Sequence, residues 1–356
     1  MIHKGRFVRE FRIPSIGGKA AFLVVPVHRV HCLGCNTLRR APLPFADPKK
    51  HYTRSFSRYI LDLCRHMTIL DVSRHLGLSW DTVKEIQKED LKRRYAKPKL
   101  KNLKQIAVDE ISIGKGHRYL TVVLDLESGA VVFVGEGKGA DALTPFWHRL
   151  SRSGAKIEAV AMDMSPAYIA AVGKHLPQAW IVYDRFHVMK MYNDKLSDLR
   201  RDLYREATDK LHKKVLKGSR WLLLKNPENL DPEKEAVRLD EILQLNQPLA
   251  TAYYMREELG ELWEQPDIPE AKIAMESWCD RAEATGIRML KEMAKTIMLH
   301  RWGIYAHYEY PISTGPLEGT NNKIKTMQRQ AYGFRDQEFF MLKIYALHET
   351  RYALVG

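Results

Sequence analysis

The chain has 356 residues, 45% hydrophobic and 28% charged, a globular balance that excludes a wholly disordered or fibrous protein and suits two or three domains. No run approaches the about eighteen consecutive apolar residues of a membrane helix, and Lys4, Arg6, Arg9, Glu10 and Arg12 interrupt any signal-peptide core. The formal charge of +14 is unevenly spread: residues 1–104 hold 23 Lys and Arg against 8 Asp and Glu, and the remainder holds 34 against 35. A basic excess confined to the first third points to a polyanion-binding module joined to a different kind of domain; the plainer reading is a solubilising basic surface.

Residues 6–31 alternate loosely, and Gly17-Gly18 supplies a turn, so a small hairpin is predicted to lead into Cys32-Leu33-Gly34-Cys35. A glycine between two such cysteines allows the knuckle that aims both sulfurs at one ion, so Cys32 and Cys35 are candidate zinc ligands. A structural zinc takes four ligands, the chain has no second Cys-x-x-Cys, and a pair of reduced cysteines at a turn is the competing reading. Four cysteines in a chain this long suit a reducing cytosol rather than a disulfide framework.

Residues 54–94 read as three helices. Phe56, Tyr59, Ile60 and Leu63 share one face, Val72 and Leu76 follow four apart, Gly77 breaks the chain, and Ser79 caps a helix carrying Val83 and Ile86 inward. This is a helix-turn-helix pattern, or otherwise the corner of a plain helical bundle. As a DNA-binding unit it points Ser79, Trp80, Thr82 and Lys84 toward the major groove, with Lys88, Lys92, Arg93 and Arg94 following toward phosphates.

After the linker around Pro98 the period changes. Residues 105–111, 119–126 and 130–134 are predicted strands, followed by a helix over 141–150, a buried strand over 157–162, a helix opened by Ser165-Pro166, and a strand over 179–183. The order is that of a mixed sheet with helices around it. Residues 188–307 read as mostly helical, with a net charge of +7 over 185–225 and −10 over 227–283. The chain from 317 to 347 is helical again, broken near Gly333, and residues 319–335 carry Lys323, Lys325, Arg329 and Arg335 with no acid.

Asp109 and Asp163 end or extend two of the buried strands, where sites form in parallel and mixed sheets. If those strands are neighbours, the two carboxylates can share divalent cations, and burying them without a metal drives one toward neutrality. Glu318 opens a late helix on which Asn321, Asn322 and Lys325 share its face, a setting suited to a metal beside a phosphate. A strand-end Asp is also often only a cap. Asp184 and His187, after the next strand, are equally readable as metal neighbours or as groups that hold the strand end by hydrogen bonds.

The sequence resembles bacterial insertion-sequence transposases of the ISL-three group over nearly its whole length. The resemblance rests on Arg9-Glu10-Phe11, the Cys32–Cys35 knuckle with Pro42-Leu43-Pro44-Phe45, the helix-turn-helix, Ala107-Val108-Asp109-Glu110, Met162-Asp163-Met164-Ser165, Asp184-Arg185-Phe186-His187, Arg220-Trp221-Leu222-Leu223, residues 317–325 and Tyr332-Gly333-Phe334-Arg335. It implies an α/β fold: a ribonuclease-H-like mixed sheet with a large helical insertion, preceded by a small β, zinc-ribbon-like unit and a helix-turn-helix.

The implied domain limits are 1–50 for the β unit, 51–97 for the helix-turn-helix, 98–187 with 308–356 for the catalytic domain, and 188–307 for the insertion. The implied triad is Asp109, Asp163 and Glu318, holding Mg²⁺ or Mn²⁺. The implied partners are double-stranded DNA at inverted repeats, target DNA, and at least one further copy of the chain, with no membrane and a cytoplasmic, nucleoid-associated location. Family members carry another cysteine pair ahead of the one present here, so the resemblance implies a zinc ribbon lacking its first pair. Rival readings are a non-catalytic DNA-binding regulator or decayed transposase, a structure-selective nuclease, and an RNA-binding helical scaffold.

Overall fold

A long hairpin opens the chain. Strands β1 (Ile2–Ile16) and β2 (Lys19–Cys32) pair antiparallel around Gly17 and Gly18, whose φ angles of 59° and 75° provide the left-handed backbone of a tight turn. Beyond the two cysteines β3 (Thr37–Arg40) turns back and sets Thr37 opposite Cys32. Thr-Leu-Arg-Arg has no alternation to mark it as a strand, which is why only the hairpin is legible in sequence.

The computed structural model describes residues 2–114 and 116–348. These fall into two compact units, one within Met1–Pro98 and Lys323–Gly356 and the other within Lys99–Asn322. Among the described residues no helix is long and apolar enough to cross a membrane.

In the first unit the hairpin is followed by α1 (Arg54–Leu63), α2 (Ile69–Leu76) and α3 (Trp80–Tyr95). Thr53, Thr68 and Ser79 cap them, each side chain accepting from the backbone N–H three residues on. Phe56, Ile60, Val72, Leu76, Val83 and Ile86 form their shared core. Gly77, at φ 63°, ends α2 and turns the chain into α3.

The second unit begins with a meander: β4 (Gln105–Gly114), β5 (Arg118–Asp125) and β6 (Val131–Glu136). A 3₁₀ turn leads to α4 (Thr144–Ser151), then come β7 (Ala159–Met162), α5 (Pro166–His175) and β8 (Trp180–Tyr183). The helix predicted from 141 starts as that 3₁₀ turn, and Pro145 sits in the first turn of the α-helix proper. The strand order is β6-β5-β4-β7-β8, with β5 antiparallel to its neighbours and β7 and β8 parallel to β4. This is the ribonuclease-H-like mixed sheet.

A helical series follows: α6 (Arg185–Glu206), α7 (Lys210–Leu216), α8 (Arg220–Leu224), α9 (Glu235–Leu245), α10 (Gln247–Glu261), α11 (Ile268–Ala284) and α12 (Arg288–Glu309). The chain then enters α13 (Gly315–Gln330), and α14 (Gln337–Tyr345) packs on α3 within the first unit.

Side-chain alternation splits the sheet into two faces. Ile106, Val108, Val160, Met162, Ile181 and Tyr183 join the main core, where each fully buried aliphatic side chain contributes about 1.5–3 kcal/mol. The other face carries small residues: Ala159 and Val182 pack on Ala306 of α12, with Tyr310 and Ile312 alongside. Gly303 of α12 lets that helix come close to β8, because a Cβ there would lie 2.4 Å from the Tyr183 ring.

Candidate active site and nucleic-acid interface

Register brings three acids to one row. Ala107 pairs with Ala161, and Ala161 with Val182, so Asp109, Asp163 and Asp184 each lie two residues beyond one of three side-by-side partners. By alternation all three continue the small-residue face.

Each acid is held differently. Asp109 is half-buried, and its Oδ2 accepts a 2.8 Å hydrogen bond from Asn321 Nδ2. Burial pushes its carboxyl above the usual range; a backbone hydrogen bond at Glu110 and the nearby His187 oppose that, while the Asp163 charge adds to it. Asp163 Oδ1 accepts from the Ser165 N–H at 3.0 Å, a turn that leads into α5. Asp184 is buried and spoken for: one oxygen caps α6 through the Phe186 N–H at 2.8 Å, and the other accepts both the N–H and the hydroxyl of Thr314 at 2.5 Å.

Thr314 stands directly ahead of α13, and its carbonyl accepts from the Glu318 N–H at 2.9 Å. Buried Leu317, Asn321 and Ile324, spaced four and three apart, orient that helix and set Asn321 against Asp109. Glu318 is half-buried, and its carboxyl is raised chiefly by burial; Asp184 and Asp109 add to the shift, and His187 and Lys190 oppose it. Buried His187 Nε2 and Asn321 Oδ1 have no hydrogen-bond partner among the described residues.

Asp109, Asp163, Asp184, His187, Glu318 and Asn321 thus form one neighbourhood. Asn322 and Lys325, expected on the same helix face as Asn321, are exposed while Asn321 is buried. Thr314 gave no sequence signal, since a threonine in a loop acquires meaning only once Asp184, 130 residues earlier, is placed against it.

Among the described residues no three His, Cys, Asp or Glu side chains stand close enough together to hold a metal ion as they are. The donor chemistry nevertheless fits a hard cation. Carboxylate oxygens suit Mg²⁺ or Mn²⁺, and Asp109 and Glu318 both carry a raised pKa that a divalent charge reverses. Asn321 Oδ1 and His187 Nε2 supply further polar atoms for ligands or water.

Residues 106–344 match the ISL3 DDE domain family described as transposase, and residues 41–90 match the helix-turn-helix domain of transposase family ISL3. The chain belongs to the ISL3 transposase family. It is 38% identical to the transposase for insertion sequence element IS1001 of Bordetella parapertussis over 342 residues, 95% of this chain and 84% of that one. It is 28% identical to the transposase for IS1557 of Mycobacterium tuberculosis over 380 aligned positions, 99% of this chain and 84% of that one. Among solved structures, the Drosophila P element transposase strand transfer complex aligns with a TM-score of 0.43 and 13% identity, covering 89% of this chain and 94% of that one.

The helix-turn-helix of this ISL3 family member sorts its expected contacts. Ser79 accepts from the Thr82 N–H at 3.1 Å, and the two hydroxyls are 2.8 Å apart, so both help form the cap. Trp80 is exposed, as are Arg93 and Arg94, which pair with Asp90 on their own helix. Lys84 and Lys88 are largely covered. Lys84 reaches Asp336 at 2.6 Å; Lys88 reaches Asp336 at 2.9 Å and Glu338 at 2.8 Å, and Lys92 pairs with Glu338 at 2.7 Å. These pairs hold the Asp336 carboxyl well below the usual range despite some burial, and Asp336 also caps α14 through the Phe339 N–H at 3.0 Å.

At the end of β2 the Cys32 thiol is pulled below its usual range, first by the Cys35 backbone N–H and then by the Cys35 thiol and the Gly34 N–H. Such donors stabilise a thiolate. Cys35 Sγ lies 2.8 Å from Thr37 Oγ1. Two sulfurs are half of the four ligands that a structural zinc takes.

Proposed function

We propose that this chain binds the terminal inverted repeats of an insertion sequence through its helix-turn-helix and catalyses metal-dependent cleavage and transfer of DNA strands. Asp109, Asp163 and Glu318 are assigned as ligands of Mg²⁺ or Mn²⁺, and Asp184, His187 and Asn321 as the groups that position them. The catalytic domain is assigned to 98–187 and 308–356, with 188–307 as the insertion. The observation that carries the reading is the row of strand-end acids facing a helix whose Asn321 is bonded to Asp109, in a chain of the ISL3 family.

Divalent ions held by Asp109, Asp163 and Glu318 would supply activation of the attacking oxygen and stabilisation of the leaving 3′ oxygen. The residues of this chain do the holding. Asn321 fixes one oxygen of Asp109, Asp184 anchors the turn that presents Glu318, and Ser165 orients Asp163. In the first step water attacks a phosphodiester, and its 3′ oxygen leaves with a proton. In the second, that 3′-OH attacks a target phosphodiester and displaces another 3′ oxygen, so the number of phosphodiester bonds is conserved. No covalent enzyme intermediate is needed.

Holding two element ends together calls for at least two copies of the chain, and a cytoplasmic, nucleoid-associated site of action goes with this chemistry. Purified protein with DNA from the flanks of its gene and Mg²⁺ tests the reading. Strand cutting and joining are expected, and Asp109→Asn, Asp163→Asn and Glu318→Gln should each lower them more than about a hundredfold, since even a group outside the ligand set is worth about 10–100-fold. Undiminished cutting by Asp109→Asn removes that residue from the site.

A further inference from the structure

Helix α13 ends in a hydrogen-bonded cap that is normally built around glycine. The Gly333 N–H donates to the Gln328 carbonyl at 2.9 Å, and the Tyr332 N–H to the Arg329 carbonyl at 3.1 Å. This is the Schellman pattern, and its left-handed position is filled by Tyr332, at φ 51°, with Gly333 following at φ 97°. A side chain in that conformation crowds its own backbone, which is why glycine is favoured there.

Packing does not offset the strain, because Tyr332 is 100% exposed. The loop around it is anchored: Phe334 stacks on buried Phe340 at 4.7 Å and lies 6.2 Å from buried Phe339. A rigid loop therefore presents an unsupported aromatic ring to solvent. Its chain surroundings are cationic, with Lys323, Lys325, Arg329 and Arg335 all exposed and no acid from 319 to 335.

We propose that Tyr332 is a stacking residue for an unpaired DNA base, with the neighbouring cations taking the flanking phosphates. The proposal rests on the reading of this chain as one that acts on DNA. A ring in a basic loop matches the two faces of a nucleotide, its π surface and its phosphate. An unpaired base is the fitting target because it can reach the ring without the cost of unstacking a duplex. A second copy of the chain or another protein is the less suited occupant. From 328 to 335 the only other large apolar side chain is Phe334, and it is committed to the stack with Phe340.

The test uses the full chain and two probes made from the DNA flanking its gene, a blunt duplex and the same duplex with a four-nucleotide single-stranded extension. Tyr332→Gly suits the backbone, so it should raise the melting temperature by about 2 °C. It should also weaken binding of the extended probe about tenfold, leave the blunt probe within about twofold, and be rescued by Tyr332→Phe. A 5-iododeoxyuridine placed in the extension should cross-link to Tyr332 under long-wavelength ultraviolet light.

Equal affinity of wild type and Tyr332→Gly for the extended probe, with wild type still cutting DNA, overturns the stacking role alone. Loss of self-association by Tyr332→Gly in the absence of DNA, with both probes bound as before, overturns it in favour of a protein contact. Failure of wild type to bind either probe overturns this proposal together with the function it rests on.

Discussion

Asp184 and Thr314 lie 130 residues apart, yet one carboxylate oxygen of Asp184 accepts both the backbone N–H and the hydroxyl of Thr314. Both residues are buried, and the bond ties the end of β8 to the start of α13. Thr314→Val keeps the shape and removes the hydroxyl donor, so it should cost about 1.5–3 kcal/mol in urea unfolding, the usual worth of a hydrogen bond to a charged group. The metal concentration needed for cleavage should rise with it, because Glu318 sits one helical turn further on. Unchanged stability would show that the backbone N–H alone carries the clamp.

The sheet was readable from sequence because its strands are short apolar runs, the first three joined through Gly114, Gly116 and Gly129, and the helix-turn-helix because capping residues and Gly77 punctuate it. Asp109, Asp163 and Glu318 could be singled out from strand ends and from family resemblance. Long-range partners could not. Nothing local in Asp336 announces that it meets Lys84 and Lys88, and the burial of Asn321 rather than Asn322 depends on how Leu317 and Ile324 seat the helix.

Asn321 donates to Asp109 and leaves its own carbonyl oxygen unpartnered. Asn321→Leu should lower metal affinity about 10–100-fold, as loss of an orienting partner does, with cleavage restored at higher Mg²⁺. Asn321→Asp adds a carboxylate beside Asp109 and should instead raise the apparent pH at which metal binds. A Mg²⁺ titration of cleavage at two pH values separates the two variants, and identical curves for Leu and wild type would show that the bond does not orient Asp109.

Burial and neighbouring carboxylates raise the pKa of Asp109 and Glu318 in the folded chain. Between the ordinary carboxylate value and the raised one, the folded state holds protons that the unfolded state has lost. Stability without metal therefore declines as pH rises through that window, and the cost is fully present above it. Divalent ions cancel the repulsion, so the Mg²⁺-induced rise in melting temperature should be larger at pH 8 than at pH 5. Asp109→Asn should melt higher than wild type in EDTA at pH 8 and respond less to Mg²⁺. An equal response of wild type at both pH values would argue against metal binding through these carboxylates.

Asp336 opposes the same logic with the opposite sign. Lys84 and Lys88 hold its folded pKa low, so its contribution to stability is present above the ordinary aspartate value and is lost as pH falls through the lowered one. Asp336→Asn can still accept from the Phe339 N–H and keep the cap of α14, while the ion pairs go; a loss of about 1–3 kcal/mol is expected, and it should vanish in strong acid. The same substitution releases Lys84, on the helix predicted to meet DNA, from its closest partner, while Lys88 stays paired with Glu338. Each new phosphate contact adds about 0.9 to the salt slope, so the plot of log affinity against log salt should steepen by about 1. An unchanged slope would mean that Lys84 faces away from DNA even when released, leaving Trp80, Lys92, Arg93 and Arg94 as the exposed aromatic and basic groups of that helix through which it meets the duplex.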